Sequence, residues 1–573
     1  MMGYSGGHRW TRGLAVLAVL SIAVAACGSS KKGGTTATAA PQATTAAPSG
    51  SSAATTPATT PAAPATTPVT TGAQPSAPSG ELKIAASMAD LATLDPPRAF
   101  ADINGLLQPF WGEPLVTIDP ATPTKILPAL AASWTVSDDG LTYVFKLRTD
   151  AKFSTGNTMT ADDVVFSFER LKNIQGSVAF VLDGATNIVA TDPSTVTITL
   201  SAADSAFLAK VTNSALMVLD STVLKKNGAV SDATAKDADK AEEFLNTSTV
   251  GTGPYMLKEW KRNERIVFDA NPNYTGANKP AFATITVQDV REPATQAQLL
   301  QGGSVDLATN IDADTAAGLK DASGVKVDTV QSVNLLYLAL NNKAPSPFAD
   351  PKVRQAVQKA IDYDGIGILT GATKRPAAVI PLGLQGIDKV TPVATDVAGA
   401  KQLLADAGLA AGFSIDVTFA NYAPYGVPLT TLWEKISADL AKVNITLNLK
   451  PVEYDAWLQA YRAGGLPMTS SIWAPDFLDV TNYLDWFGSP ESPVSKRVGF
   501  NSPEAGALFN QVKATTDSAK REDLSAQAAT IMRDDASLIP VVQPNSIIAY
   551  RTTISHVEYS PNHQIEITAI TPG

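Results

Sequence analysis

Between Gly28 and Gly80 the chain has nothing from which to build a core, and this fixes where folding can begin. After Lys31 and Lys32 there is no charge until Glu81, and Val69 is the only large apolar residue among threonine, alanine, proline, serine and glycine. A segment of this composition cannot bury enough surface to offset the entropy of ordering it, so an extended, partly polyproline-like stalk is expected. As a coil its roughly 50 residues would span about 40 Å. Nearly 500 residues follow, from Glu81 to Gly573, with the composition of a globular protein and no later apolar run long enough to span a membrane. That length exceeds one core and calls for two or three lobes. A formal net charge of −10 and the lack of a basic stripe argue against a nucleic-acid partner.

Ahead of the stalk, Arg9 and Arg12 precede an apolar run of about a dozen residues that ends in Val24-Ala25-Ala26-Cys27. The run is short for a permanent span and fits the apolar stretch of a secretory leader, 1–26. Its end resembles the bacterial lipobox, which implies that Cys27 is lipidated and heads a lipid-anchored, extracytoplasmic protein with the stalk at 27–80. An ordinary leader with an incidental cysteine is the alternative. Cys27 is the only cysteine, so the rest of the chain has no thiol for a disulfide, a metal or a nucleophile.

The remainder reads as mixed α and β. Leu141 to Arg148 alternates apolar and polar residues like a half-buried strand. Thr160 and Asp163 open a helix, as do Asp350 and Pro351, while Gly408 stops a helix over 398–407. Short strands are expected at 414–419 and 445–449, and the alternation points to α/β lobes.

A set of motifs in fixed order then runs through nearly all of this region. Leu94-Asp95-Pro96 comes first, followed by Phe145-Lys-Leu-Arg148, Lys152-Phe153, Gly156 and Thr160-Ala-Asp-Asp-Val164. Val250-Gly-Thr-Gly-Pro-Tyr255, Trp260, Asn271-Pro-Asn-Tyr274 and Gly302-Gly-Ser-Val-Asp306 come next. Leu340-Asn-Asn342, Pro351-Lys-Val-Arg-Gln-Ala356, Ala360-Ile-Asp362 and Lys401 to Gly408 complete it. In this order the motifs resemble the family 5 extracellular solute-binding proteins of peptide, dipeptide and nickel ABC importers. The resemblance implies a type II periplasmic-binding-protein fold with two main lobes, a hinge of two crossings and an extra insert domain. Lobe I would comprise 81–115, 250–340 and 541–573, the insert 116–249 and lobe II 341–540, with crossings near 338–342 and 539–542. It also implies a monomer that closes on a short peptide or other small solute and delivers it to a membrane permease.

In peptide-binding members an aspartate three residues after a tryptophan pairs with the ligand's α-ammonium, and Trp473 and Asp476 match that spacing. A carboxylate shut away with an ammonium makes a charge-assisted bond. Asp476 as a cap for a helix over 480–487 is the structural alternative. The resemblance places Tyr454 as an aromatic wall, with Tyr337 and Asn334 beside the hinge and Phe100 and Asp102 in the opposite lobe's loop. Each has a plain packing or solvated alternative, and Trp433 reads as core from Leu429, Leu432, Ile436 and Leu440. Where some oligopeptide binders carry an arginine for the ligand's carboxylate, this chain has Ser470. Arg375 is the candidate to serve instead, against its plainer reading as a solvated loop charge, and the glycines of Gly251-Thr-Gly253 read as turn geometry.

Catalysis is not expected. His556 and His563 are the only histidines past the leader, with no G-x-S-x-G elbow and no H-E-x-x-H helix. Carboxylate-only hydrolysis stays open on inventory. No cofactor is implied, and two histidines without a thiol make direct metal binding unexpected, although a chelated nickel stays open. An oligosaccharide, an opine-like compound or another cationic small molecule competes with a peptide as the ligand.

Overall fold

The computed structural model describes residues 77–573 except 373 and 562. The leader, Cys27 and most of the stalk lie outside the described residues. Among those described, no helix is long and apolar enough to cross a membrane.

Three sheets organise the chain. The first is seven-stranded, in the order Val325–Gln331, Asn545–Arg551, Leu307–Ala308, Glu81–Ala86, Thr284–Asp289, Arg265–Ala270, Tyr255–Lys261. The second is five-stranded, in the order Ile445–Val452, Phe413–Ala420, Met468–Trp473, Leu335–Leu340, Leu538–Val542. The third is a four-stranded antiparallel sheet made by Ala131–Val136, Thr142–Leu147, Thr195–Leu200 and Ala185–Asp192. Sequence explains the strands directly. In Thr142–Leu147 the inward residues Tyr143, Phe145 and Leu147 are buried and their neighbours more exposed. Leu335–Leu340 has no polar face and is buried at every position, as a strand covered on both sides should be.

The helices start where the caps said they would. Ala161–Ile174 opens with the Thr160 amide donating to Asp163 Oδ2 at 2.9 Å. Pro351–Ala360 opens with the Asp350 carboxylate accepting from the Lys352 amide at 2.8 Å. Val397–Asp406 ends before Gly408, which sits at φ +75°.

Two expected boundaries move. The strand Leu335–Leu340 pairs with Leu538–Val542 inside the second sheet, so it belongs to that lobe throughout. The crossings therefore fall at 332–334 and 543–544, and they are tied together. Ser332 Oγ donates to the Pro544 carbonyl and Gln543 Nε2 to the Ser332 carbonyl, each at 2.6 Å. The insert's apolar core runs from Leu115 to Val218, but Met217, Leu219, Leu224 and Leu245 join Leu94, Phe110 and Trp111 in the core of the first lobe.

The family motifs resolve into joints. Asp95 of Leu94-Asp95-Pro96 is buried against Arg170, whose Nη1 and Nη2 reach its carboxylate at 2.7 and 2.8 Å. The same guanidinium holds Asp239 at 2.7 and 2.8 Å, and Arg98 joins both carboxylates. Burial alone would lower the pKa of Arg170, but the bonds to Asp239 and Asp95 raise it. Gly251 and Gly253 need no positive φ, contrary to the turn-geometry reading. Their constraint is close approach, since a Cβ would stand 2.1 Å from the Trp111 carbonyl oxygen at the first and 2.4 Å from its carbon at the second.

Candidate ligand-binding site

The strand Met468–Trp473 lies antiparallel beside Leu335–Leu340, with Trp473 opposite Leu335, and so ends next to the crossing at 332–334. The chain then turns through Asp476 into the helix Val480–Tyr483. That helix is capped by Asp479, which accepts from the Thr481 amide at 2.8 Å and also pairs with Arg521. Asp476 is left with a different role. Its Oδ2 accepts from Asn482 Nδ2 at 3.1 Å, while Asn482 Oδ1 accepts from Trp473 Nε1 at 3.0 Å. One asparagine thus fixes both residues of the Trp473–Asp476 pair. Trp473 itself packs on Trp486 and Phe487, with ring centroids 5.2 and 5.0 Å away.

No cation meets the Asp476 carboxylate among the described residues. Burial pushes its pKa up to about 6, with the Asn482 bond opposing and the charge of Asp102 adding to the rise. Asp102 lies in the other lobe as the first residue of the helix Asp102–Trp111. Its side chain has a path to solvent, yet protein crowds it. This loss of hydration, with Asp90 close by, holds its pKa above the ordinary range. Asp90 accepts from the Asp102 amide at 3.2 Å and is itself raised by burial.

Several rings lie within electrostatic reach of the two carboxylates. Tyr454, at the start of the helix Tyr454–Arg462, stays 44% exposed and meets Tyr422 edge-on at 5.3 Å. Tyr422, Tyr425 and Tyr454 all feel the Asp102 charge, and Tyr483 feels that of Asp476. Phe100, 48% exposed, leans edge-on against Phe180 of the insert at 6.2 Å. The lobes approach closely here, since a Cβ on Gly426 would sit 3.1 Å from Asp312 Cα.

Of the expected site residues, Trp473 and Asp476 are joined through Asn482, Asp102 lies within electrostatic reach of Asp476 and Tyr454, and Phe100 rests against the insert. Asn334 lies half-buried in the crossing, its amide donating to Ser332 Oγ at 3.1 Å. Tyr337 does not reach the cleft. It is 1% exposed, its hydroxyl shares a 3.1 Å bond with that of Tyr461, and its ring packs on Phe487. Arg375 is not a solvated charge either. It stacks on Tyr363 with Cζ 3.4 Å from the ring centre and donates to the Val393 carbonyl. Ser470 is buried and accepts from Trp433 Nε1 at 3.1 Å, and Trp433 is core.

Sequence reading missed Asn482, the tyrosines 422, 425 and 483, and the insert's hold on the site. Asn213 Nδ2 donates to the Asp476 main-chain carbonyl at 2.8 Å. Phe477, the next residue, packs on Ala206 and Ala209 beneath Lys210. Arg521 Nε donates to Ser205 Oγ at 3.0 Å. An asparagine nine residues after a tryptophan carries no signal by itself, and the insert contacts join positions hundreds of residues apart.

Two lobes joined by two crossings, with an insert beside the first, are the architecture of a solute-binding protein. The family model of bacterial extracellular solute-binding proteins, family 5, matches residues 125–493, and the chain belongs to that family. It is 30% identical over 437 residues to the probable D,D-dipeptide-binding periplasmic protein DdpA of Escherichia coli, covering 75% of this chain and 82% of that one. It is 31% identical over 444 residues to heme-binding protein A of Haemophilus influenzae, covering 73% and 79%. Among solved structures it is similar to DppA from Helicobacter pylori in complex with peptide STSA. The TM-score there is 0.71 at 25% identity, over 86% of this chain and 98% of that one.

Proposed function

We propose that this chain is the extracytoplasmic substrate-binding component of an ABC importer, that it captures short peptides, and that Asp476 receives their α-ammonium. The observation that carries this reading is the confined carboxylate of Asp476, steered by Asn482 and Trp473 and left without a protein cation. Dipeptide-binding relatives and the peptide-bound Helicobacter pylori structure support the ligand class. Trp473, Tyr454, Phe100 and Asp102 are the proposed walls, with Asn334 at the hinge. An uncharged competitor would leave Asp476 buried and unpaired, which is the basis of selectivity for an ammonium. The protein binds without chemical turnover, acts as a monomer and docks to a membrane permease. Cys27 carries the lipid anchor once the leader 1–26 is removed. The division we propose keeps the insert near 116–218, with lobe II between the crossings at 332–334 and 543–544.

The test is titration calorimetry of residues 81–573 with Ala-Ala and with N-acetyl-Ala-Ala, plus mass spectrometry of ligand released by denaturation. Binding of the first peptide only, recovered intact, is the expected result. Equal binding of both would overturn the ammonium assignment. A sugar, an opine-like compound or a metal chelate released alone would overturn the peptide reading.

A further inference from the structure

The insert is built into lobe I. Their joint carries the buried cluster of Arg170 with Asp95 and Asp239, and Phe166 and Met217 of the insert lie in the apolar core of that lobe. Further bonds cross the joint from Arg148 Nη2 to the Thr275 carbonyl at 2.9 Å and from Asn273 Nδ2 to the Ser154 carbonyl at 3.1 Å. Lobe II meets the rest of the molecule differently. Away from the crossings and the residues that flank them, every hydrogen bond between lobe II and the remainder of the described residues runs to the insert, at Ser205 and Asn213.

Ser205 caps a helix that belongs to lobe II. The last carbonyls of a helix find no partner inside it, and those of Val512 and Lys513 close the helix Pro503–Ala514. The Ser205 amide donates to the Lys513 carbonyl at 2.8 Å, and its hydroxyl donates to the Val512 carbonyl at 3.2 Å. The same hydroxyl accepts from Nε of Arg521, in the next helix, Ser518–Asp535, at 3.0 Å. Arg521 pairs in turn with Asp479. The insert thus holds the 476–479 turn at both ends, by Asn213 on the Asp476 carbonyl at 2.8 Å and by Ser205 through Arg521. Little else joins the two surfaces. Phe477, Ala206 and Ala209 form a small apolar cluster separate from the lobe cores, and Lys513 stands 3.9 Å from Asp204.

The two sides of the insert differ in strength and in kind. Toward lobe I it is fixed by buried charges and a shared core, and parting them would strand ions away from water. Toward lobe II it offers mainly neutral bonds to helix-end carbonyls, which water can replace when the surfaces separate. The second boundary is therefore the one that parts when the lobes swing about their crossings. We propose that residues 204–213 are a latch, holding lobe II against lobe I through contacts that include no solute. Ser205, Asn213 and Arg521 are its positioning residues, and they set how much of the solute-free protein is closed. The latch lands on the turn that carries Asp476, so closure and the candidate ligand carboxylate share one support. The proposal needs two hinged lobes and holds for any solute.

The experiment measures, by double electron–electron resonance, the distance between spin labels at Asn187→Cys on the insert and Lys401→Cys on lobe II, both exposed positions. The carrier is the chain from Gly28 onward, which has no other cysteine. With no solute added, the otherwise wild-type chain should show a short and a long distance. In Ser205→Ala/Asn213→Ala the ratio of short to long should fall roughly tenfold, and in Ser205→Ala alone, which keeps the main-chain bond, about threefold. Ser205→Thr retains the hydroxyl and should keep the wild-type ratio. Melting temperature is the control, since a residue that only supports the fold lowers it and leaves the distances alone. A wild-type distribution kept by both alanine variants overturns the latch, whatever their melting temperatures. So does a single long distance in the wild-type chain, because nothing is then held closed.

Discussion

Two sets of acids show opposite designs. Where the first lobe meets the insert, Asp95 and Asp239 share the guanidinium of Arg170, and Arg98 closes the cluster. In the cleft, Asp476 has an asparagine and Asp102 has no side-chain partner. Packing costs a carboxylate hydration in both places, fully at the joint and in part in the cleft, where Asp476 is half-buried and Asp102 keeps its path to solvent. At the joint an internal cation makes up that loss, and the result is a fixed connection. In the cleft no ion pair with a protein cation among the described residues makes up the loss.

Breaking the joint should have the largest effect. Asp95→Ala leaves Arg170 with half its partners in a site that excludes water. A loss of about 3–5 kcal/mol is expected, read as a lower denaturant midpoint. A change below about 1 kcal/mol would place the cluster in the same energetic class as a surface pair.

The same kind of substitution in the cleft should act in the reverse sense on the empty protein. Asp476→Asn is expected to weaken binding of Ala-Ala more than tenfold, about 1.4 kcal/mol, while raising the melting temperature of the ligand-free protein at pH 7.5. The sign follows from the raised pKa. Between the unfolded value of 3.8 and the folded value of about 6, the folded state holds a proton that the unfolded state has released. Stability therefore falls as pH rises through that window, and the asparagine variant avoids the fall. The stability difference should shrink toward pH 4. A variant less stable than wild type at pH 7.5 would contradict a strained, unpaired carboxylate.

Ligand binding should follow the same titration. An ammonium needs the ionised carboxylate, so wild-type affinity for Ala-Ala should decline as pH drops through about 6. A flat profile from pH 7.5 to 5 would mean that Asp476 does not meet the charge. The smallest effect expected is that of Asn213→Ala, which removes one neutral hydrogen bond to the Asp476 carbonyl. Affinity should fall about fivefold, near 1 kcal/mol, with no change in its pH dependence.

Much of the scaffold was legible because its signals are local. Thr160, Asp350 and Gly408 mark helix ends through bonds and dihedrals within a few residues, and Tyr143, Phe145 and Leu147 reveal their strand by alternation. The Trp473–Asp476 spacing was legible as a family pattern, and its role toward a ligand is the proposal made above. Tyr337 was not, since a tyrosine in an apolar strand gives no sign of which side its hydroxyl finds a partner, and here Tyr461 provides one. Arg375 was misread because its stacking on Tyr363 depends on how a loop folds back. Asn482 and Asn213 act only after Met468–Trp473, Val480–Tyr483 and the insert have come together.

The insert holds the site by its main chain. Asn213 binds the carbonyl of Asp476, and a carbonyl is present whatever side chain the position carries. A descendant of this chain could therefore exchange the residue at 476 to meet a different solute, with the insert's grip intact. The contact that steadies this turn is blind to the side chain it carries, which leaves that side chain open to change while its support is inherited whole.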